Sequence, residues 1–242
     1  MTILEINMFP DVVILAGGLG KRLKSVTGGS QKVLAKIGQQ PFLEILIDYI
    51  ASQGATRFIL CVGHGSNEVE AYFKDKWVGR EIIFSREDSP LGTGGAIKQG
   101  SALVNTDTFL AMNGDCFCVI NYNALIAWHK KQKAKATIAI TRLADVRDYG
   151  SIKINDKSQI IGFEEKSIQA QAGMINTGTY CLDRKVFNLA STPQKFSIEY
   201  DFFPYLVGQG FYSFEVENKF IDIGTPERYQ WAQEHLKDQY GF

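Results

Sequence analysis

Directly after a short apolar run, Asp11–Ala16 (DVVILA), the chain reads Gly17-Gly18-Leu19-Gly20-Lys21-Arg22-Leu23. Successive glycines let the backbone approach an anion closely and turn several N–H groups towards it. Lys21 and Arg22 add charge and donors where phosphates would sit. Two familiar phosphate loops are excluded. A dinucleotide fingerprint needs Gly or Ala at position 23, where Leu23 stands, and the P-loop spacing is absent. A second polar signal is Asn176, set inside the apolar run Met174–Leu182, which points to a hydroxyl partner. Asp115 and Asp222 each follow a strand-like run, TFLAM and KFI, so both could stand at strand ends and line one cleft. His64, His129 and His235 share no spacing and read as structural or surface residues. Cys61, Cys116, Cys118 and Cys181 form no CxxC pair and read as thiols in a reducing compartment.

These residues need a scaffold, and the chain alternates in the way that builds one. Pro41 opens an amphipathic stretch, Phe42–Ser52, which Gly54 ends. Then follow a strand at Arg57–Val62, a helix at Ser66–Lys74, a strand at Glu81–Ser85, a helix at Thr93–Leu103 and a strand at Thr108–Met112. Continuously apolar strands separated by helices of about ten residues predict βαβ units and a parallel sheet. Beyond a helix over Tyr122–Lys131, strands dominate: Ala136–Arg142, Ser151–Ile154, Ile160–Glu165 and Met174–Leu182. Helical patterns return at Arg184–Leu189 and Glu199–Val207, followed by a strand at Phe211–Glu215 and a helix from Pro226 to about Lys237. The fold class expected is α/β: a Rossmann-like open, mostly parallel mixed sheet flanked by helices. No Pro/Gly/Ser-rich linker interrupts it. A single domain over 1–242 is therefore expected, with a glycine-turn lobe at about 11–115 and a strand-rich lobe at about 116–242.

Composition narrows the function. Lys plus Arg is 26 and Asp plus Glu is 26, so the basic surplus that nucleic-acid binding draws on is missing. No apolar run reaches the roughly 18–20 residues that span a bilayer, and Met1–Pro10 lacks the cationic start of a secretory signal. A cytoplasmic protein with no nucleic-acid or membrane partner is expected, and a homodimer is left open.

Five motifs in order then carry a resemblance: AGGLGKRL with Gln31-Lys32-Val33-Leu34; Leu91-Gly92-Thr93-Gly94-Gly95; Asn113-Gly114-Asp115; Glu164-Glu165-Lys166; and Phe220-Ile221-Asp222-Ile223-Gly224-Thr225-Pro226. The set resembles the sugar-1-phosphate nucleotidylyltransferases, whose signature is GGxGTRL followed by PKPL. Lys21 stands for the usual Thr and Gln31 for the usual Pro, so this chain lacks the family's Thr for a phosphate or base contact, while Arg22 and Lys32 are retained.

The resemblance implies attack by a sugar 1-phosphate oxygen on the α-phosphorus of a nucleoside triphosphate, with Mg²⁺ as cofactor. It assigns Arg22, Lys32 and Asp115 to catalysis and Asp115 and Asp222 to the metal. Nucleotide contacts fall to Leu15, Ala16, Gly17, Gly18, Gly20, Lys21, Glu87, Pro90, Gly92 and Thr93. The sugar phosphate falls to Asn113, Gly150, Glu165, Lys166, Asn176 and Thr177. Guanine presents N1–H and an N2 amino group together, two donors that suit a carboxylate. Glu87, shortly before LGTGG, makes GTP the expected nucleotide, and the run resembles the guanylyltransferase branch, with a heptose 1-phosphate as acceptor for surface-polysaccharide synthesis. Mannose 1-phosphate with GTP, an amino-sugar 1-phosphate with UTP, and a silent sugar-nucleotide-binding regulator are the rival readings.

Overall fold

A computed structural model describes residues 8–18, 23, 31–63, 65–74, 79–164, 171–217 and 219–240. Its strands, in chain order, are β1 (Val12–Leu15), β2 (Lys36–Ile37), β3 (Gln40–Pro41), β4 (Arg57–Val62), β5 (Glu81–Arg86), β6 (Thr108–Asn113), β7 (Cys116–Cys118), β8 (Ala136–Leu143), β9 (Ser151–Ile154), β10 (Ile160–Glu164), β11 (Gly173–Asp183), β12 (Phe211–Glu215) and β13 (Phe220–Asp222).

Four parallel strands, in the order β6-β1-β4-β5, form one side of the sheet, out to its edge at β5. Side chains alternate between faces along a strand, and β1 shows what that does. Val12 and Ile14 enter one core with Phe58, Leu60 and the helix Phe42–Ala51, while Val13 enters the other with Ile59 and the helix Gly92–Ser101. Both faces being covered explains why β1 is apolar throughout. The second half extends the same sheet. β11 runs antiparallel to β6, pairs antiparallel with β8 along its opposite edge and with β9 at Ile175, and β12 lies parallel to β8.

Two features of this topology position the site. In register, Leu15 lies beside both Cys61 and Asn113, so the chain leaves β1, β4 and β6 at one edge of the sheet. Ligands of open α/β sheets bind at such carboxyl ends. Secondly, β13 pairs antiparallel with β7, with Asp222 opposite Cys116.

Some segments depart from the sequence expectation. Arg184–Leu189 forms only a 3-10 turn at Val186–Leu189. Glu199–Val207 begins as a π-helical turn, Ile198–Phe202, and continues as the short helix Phe203–Leu206. Pro204 supplies a reason, since its ring lacks an N–H and crowds the carbonyl four residues back, so the regular ladder cannot run through it. Among the described residues no helix is long and apolar enough to cross a membrane.

His129, on the helix Tyr122–Lys131, is buried with Nδ1 2.9 Å from Thr137 Oγ1. Burial disfavours its cation and pulls its pKa down from 6.5 to about 4. Between those values the unfolded chain binds a proton that the folded chain refuses, so stability should fall as pH drops through this window. The loss approaches the order of 3 kcal/mol at its acid end. Urea unfolding of wild type and His129→Gln at about pH 7 and about pH 4.5 tests this. Wild type should lose more stability on acidification than the variant; equal losses would refute the assignment.

Candidate active site

The cleft is built where the glycine turn leaves β1. Ala16 N–H donates to Cys61 O at 2.8 Å, which extends the β1–β4 pairing by one residue. Gly17 then presses against the loop after β4: a Cβ there would stand 2.9 Å from Gly63 N, so only glycine lets these backbones meet. The resulting cavity measures ≈ 1230 Å³. That exceeds the roughly 300–1,000 Å³ of a site for one small ligand, so two could lie side by side. The structure brings to its walls Leu15, Gly17, Gly18, Lys32, Glu87, Pro90, Gly92, Thr93, Asn113 and Asp115. Ala16 is buried in the wall itself. Gly20, Lys21, Arg22, Glu165 and Lys166 lie outside the described residues.

Asp115 follows β6 through Asn113-Gly114. Gly114 N–H donates to Leu15 O at 3.0 Å, and Asp115 O accepts from Ile223 N at 3.0 Å, next to the Asp222–Cys116 pair. Two carboxylates distant in sequence therefore flank one another across a two-strand ribbon. Lys32 presents its ammonium to Asp115 Oδ2 from a 3-10 turn anchored by buried Val33. The Cys116 thiol lies 3.5 Å from Asp115 Oδ1. Burial, reinforced by Asp115 and Asp222, holds that thiol well above its ordinary pKa.

Asp222 is gripped from three sides. Tyr149 OH donates to Oδ2 at 2.6 Å, Gly224 N–H to Oδ1 at 2.8 Å, and one Arg228 nitrogen reaches both oxygens at 3.0 and 3.1 Å. Arg228 also lies 4.9 Å from the Tyr149 ring centroid and pairs with Asp148. Burial and the neighbouring Asp222 raise the Tyr149 phenol, so it remains a donor. Sequence reasoning missed Tyr149 and Arg228. The helix beginning at Pro226 was legible, but not that its first turn would fold back onto Asp222.

The residues present fit a hard divalent cation. The donors are anionic oxygens, as Mg²⁺ prefers, and Mg²⁺ commonly takes only one or two carboxylates beside phosphate oxygens and water. Among the described residues no third His, Cys, Asp or Glu joins them. Asp115 is the accessible member, its side chain 32% exposed against 10% for Asp222.

Two residues before Asp115, Asn113 Oδ1 is buried without a hydrogen-bond partner among the described residues, an acceptor that a ligand hydroxyl would satisfy. Asn176 and Thr177 open an irregular stretch of β11, where its register against β8 shifts. Thr177 is the one turned away: it is 1% exposed and its hydroxyl donates to Ala139 O at 2.9 Å. The Asn176 amide donates to Tyr180 OH at 2.9 Å and accepts from Gly178 N at 2.8 Å. One of its N–H groups is left over among the described contacts. Gly150 is exposed at the entrance to β9.

Glu87 lines the opposite wall with one oxygen committed, since Oε2 accepts from Leu91 N at 2.9 Å. The Thr93 hydroxyl donates to Glu199 at 2.7 Å and accepts from Ile198 N at 3.0 Å, so its proton is spent and it can offer a ligand only as an acceptor. Glu199 is a further residue that sequence reasoning passed over.

Comparison with known proteins adds the following. The family model described as nucleotidyl transferase matches residues 11–239. The D-glycero-α-D-manno-heptose 1-phosphate guanylyltransferase of Aneurinibacillus thermoaerophilus is 36% identical over 228 residues, covering 94% of this chain and 98% of that protein. The mannose-1-phosphate guanylyltransferase of Mycobacterium tuberculosis is 30% identical over 90% of this chain, which spans 62% of that longer protein. The crystal structure of HddC from Yersinia pseudotuberculosis complexed with GMP-PN superposes with a TM-score of 0.82 at 37% identity, covering 95% of this chain and 100% of that one.

Proposed function

Since the chain belongs to the nucleotidyl transferase family, we propose that it joins GTP to D-glycero-α-D-manno-heptose 1-phosphate, giving GDP-heptose and pyrophosphate. The observation that carries the reading is that Lys32 and Asp115 meet at the carboxyl edge of the sheet in a cavity with room for two ligands, with Asp222 paired to the residue after Asp115 just behind its wall. The full-length similarity to a heptose 1-phosphate guanylyltransferase supports the choice of substrates. The shorter-span similarity to a mannose-1-phosphate enzyme makes mannose 1-phosphate the second acceptor to test.

In this reading an oxygen of the sugar phosphate attacks the α-phosphorus, the bond to the β-phosphate breaks and pyrophosphate leaves. No covalent protein intermediate is needed. The barrier lies in bringing two polyanions together and supporting the charge that develops, so position and electrostatics do the catalysis. Asp115 and Asp222 would hold a cation such as Mg²⁺, which supplies Lewis-acid stabilisation of phosphate oxygens. Arg228 and Tyr149 fix the Asp222 carboxylate beforehand. Lys32, held at Asp115, offers its ammonium beside the α-phosphate. Arg22 and Lys21 are assigned to the β- and γ-phosphates, Lys166 to the incoming phosphate and Glu165 to sugar hydroxyls. Asn113 accepts a ligand hydroxyl.

Glu87 is assigned to guanine, and Leu91 narrows how it does so. With Oε2 already taking the Leu91 N–H, Oε1 is the oxygen left wholly free to accept from the base. In Glu87→Gln the amide oxygen can keep the Leu91 contact and turn an NH₂ towards the base, where it suits a uracil or thymine carbonyl. Losing one charge-assisted bond, about 1.5–3 kcal/mol, should lower kcat/KM for GTP roughly 10- to 100-fold and narrow the gap to UTP. Pyrophosphate release is to be measured over a matrix of GTP, ATP, UTP and dTTP against heptose, mannose and amino-sugar 1-phosphates. Wild-type preference for UTP or dTTP, or an unchanged ranking in the variant, would move base recognition elsewhere.

A further inference from the structure

Glu199 accepts hydrogen bonds from three hydroxyls, one of them, Thr93, on the wall of the main cleft and another, Tyr180, buried in the core. Its Oε2 takes the Thr93 hydroxyl at 2.7 Å and the Ser197 hydroxyl at 2.9 Å, and its Oε1 takes the Tyr180 hydroxyl at 3.2 Å. Thr93 stands in the wall assigned to the nucleotide, and Tyr180 orients Asn176, assigned to the sugar. Glu199 itself sits on the π-helical turn Ile198–Phe202, a local irregularity of the kind found at functional sites.

The chain around it is tied to the same wall. Phe196 N–H donates to Leu91 O at 2.9 Å and Phe196 O accepts from Gly94 N at 3.0 Å, clamping the segment onto the start of the helix Gly92–Ser101. A smaller cavity of ≈ 660 Å³, bordered by Gly92, Thr93, Ser197 and Glu199, shares Gly92 and Thr93 with the main cleft.

A carboxylate at this point sets the direction of every bond in the network. Being an acceptor only, it forces the Thr93, Ser197 and Tyr180 hydroxyls to donate to it. Tyr180 must then receive Asn176 on its oxygen, which fixes which end of that amide is NH₂. Asn176 Oδ1 is left to take the Gly178 N–H at 2.8 Å. Burial and the adjacent Glu199 keep the Tyr180 phenol neutral, so the direction holds.

We propose that Glu199 is a positioning residue that sets Thr93 for the nucleotide and, through Tyr180, Asn176 for the sugar, so that one carboxylate holds both substrate contacts in place. This rests on the nucleotidylyltransferase reading and goes beyond it. Glu199→Gln replaces an acceptor oxygen by an NH₂ donor among three hydroxyl donors, which leaves at least one of them without its acceptor.

The test is steady-state kinetics on Glu199→Gln, Thr93→Val, Tyr180→Phe and their pairs. Thr93→Val should raise the nucleotide KM, Tyr180→Phe the sugar phosphate KM, and Glu199→Gln both, each by about 5-fold or more. Adding either single change to Glu199→Gln should have less than about a 2-fold further effect, because the contact is already broken. A merely structural Glu199 would lower the melting temperature with both KM values unmoved, and effects that multiply freely would equally overturn the proposal. Should Glu199→Gln fail to fold, Tyr180→Phe carries the test, and an unchanged sugar phosphate KM refutes it. If wild type releases no pyrophosphate from any pair, the functional reading fails separately. Glu199 is then judged by calorimetric binding of GTP and of heptose 1-phosphate, each alone, to the same variants.

Discussion

Asp115→Asn keeps its fold and loses on the order of 10²–10³ in kcat. Asparagine has the shape of aspartate, and the side chain is one-third exposed, so the backbone bonds that hold this turn survive: Gly114 N to Leu15 O and Ile223 N to Asp115 O. What disappears is charge. The Lys32 ammonium loses its anionic partner, and a cation shared with Asp222 is held by one carboxylate where two had faced it. Since Asp222 already carries the Arg228 guanidinium, it cannot replace the missing charge. The melting temperature should barely move, while half-saturation by Mg²⁺ shifts upward and turnover collapses at every nucleotide concentration. Equilibrium binding of Mn²⁺ in place of Mg²⁺ should weaken in parallel, a readout independent of turnover. Near-normal turnover at limiting Mg²⁺ would remove Asp115 from the reaction.

Gly114→Ala tests the scaffold beneath that carboxylate, and it should be clearly destabilising. The new Cβ would lie 2.5 Å from the Leu15 carbonyl oxygen, with Ile14 and Val33 side chains at 3.2 and 3.3 Å. A flexible side-chain tip could move aside, but a carbonyl within the parallel pairing of β1 and β6 cannot do so without parting the strands. Overpacking of this sort costs about 1–3 kcal/mol, and the backbone neighbour argues for the upper end. For a domain of this size that lowers Tm by roughly 3–10 °C. Activity should fall further than stability alone requires, since the same wedge displaces Asp115 from Lys32. Gly162→Ala on β10, whose Cβ would meet nothing within 4 Å, is the control and should melt close to wild type. Indistinguishable melting of the two variants would show that the Gly114 contact relaxes at little cost.

Much of the scaffold is legible before folding. The runs Arg57–Val62, Tyr122–Lys131, Ser151–Ile154 and Phe211–Glu215 have the same bounds in the chain and in the structure, and the first is the clearest, with five consecutive buried apolar side chains after Arg57. Strands β7 and β13, of three residues each, carry no such run. Yet their pairing is what sets Asp222 beside Asp115. The weakest part of the sequence pattern thus makes the most consequential contact.

Motif order and residue type, read along the chain alone, identified the family and the cast of side chains: a glycine turn with cations, two aspartates after strands, a carboxylate before LGTGG. Local chemistry suffices there, because backbone approach, charge and donor count are properties of residues and their immediate neighbours. Tertiary structure decided which of these groups still have a hydrogen bond to give. Thr177 is consumed by Ala139, the Thr93 hydroxyl by Glu199 and Ile198, half of Glu87 by Leu91, and Asp222 is shared with Tyr149 and Arg228. Most of these partners lie tens of residues apart, and a lone pair is taken or left open only when strands and loops distant in sequence are packed within about 3 Å of one another. Side-chain periodicity along a single strand cannot encode that distance.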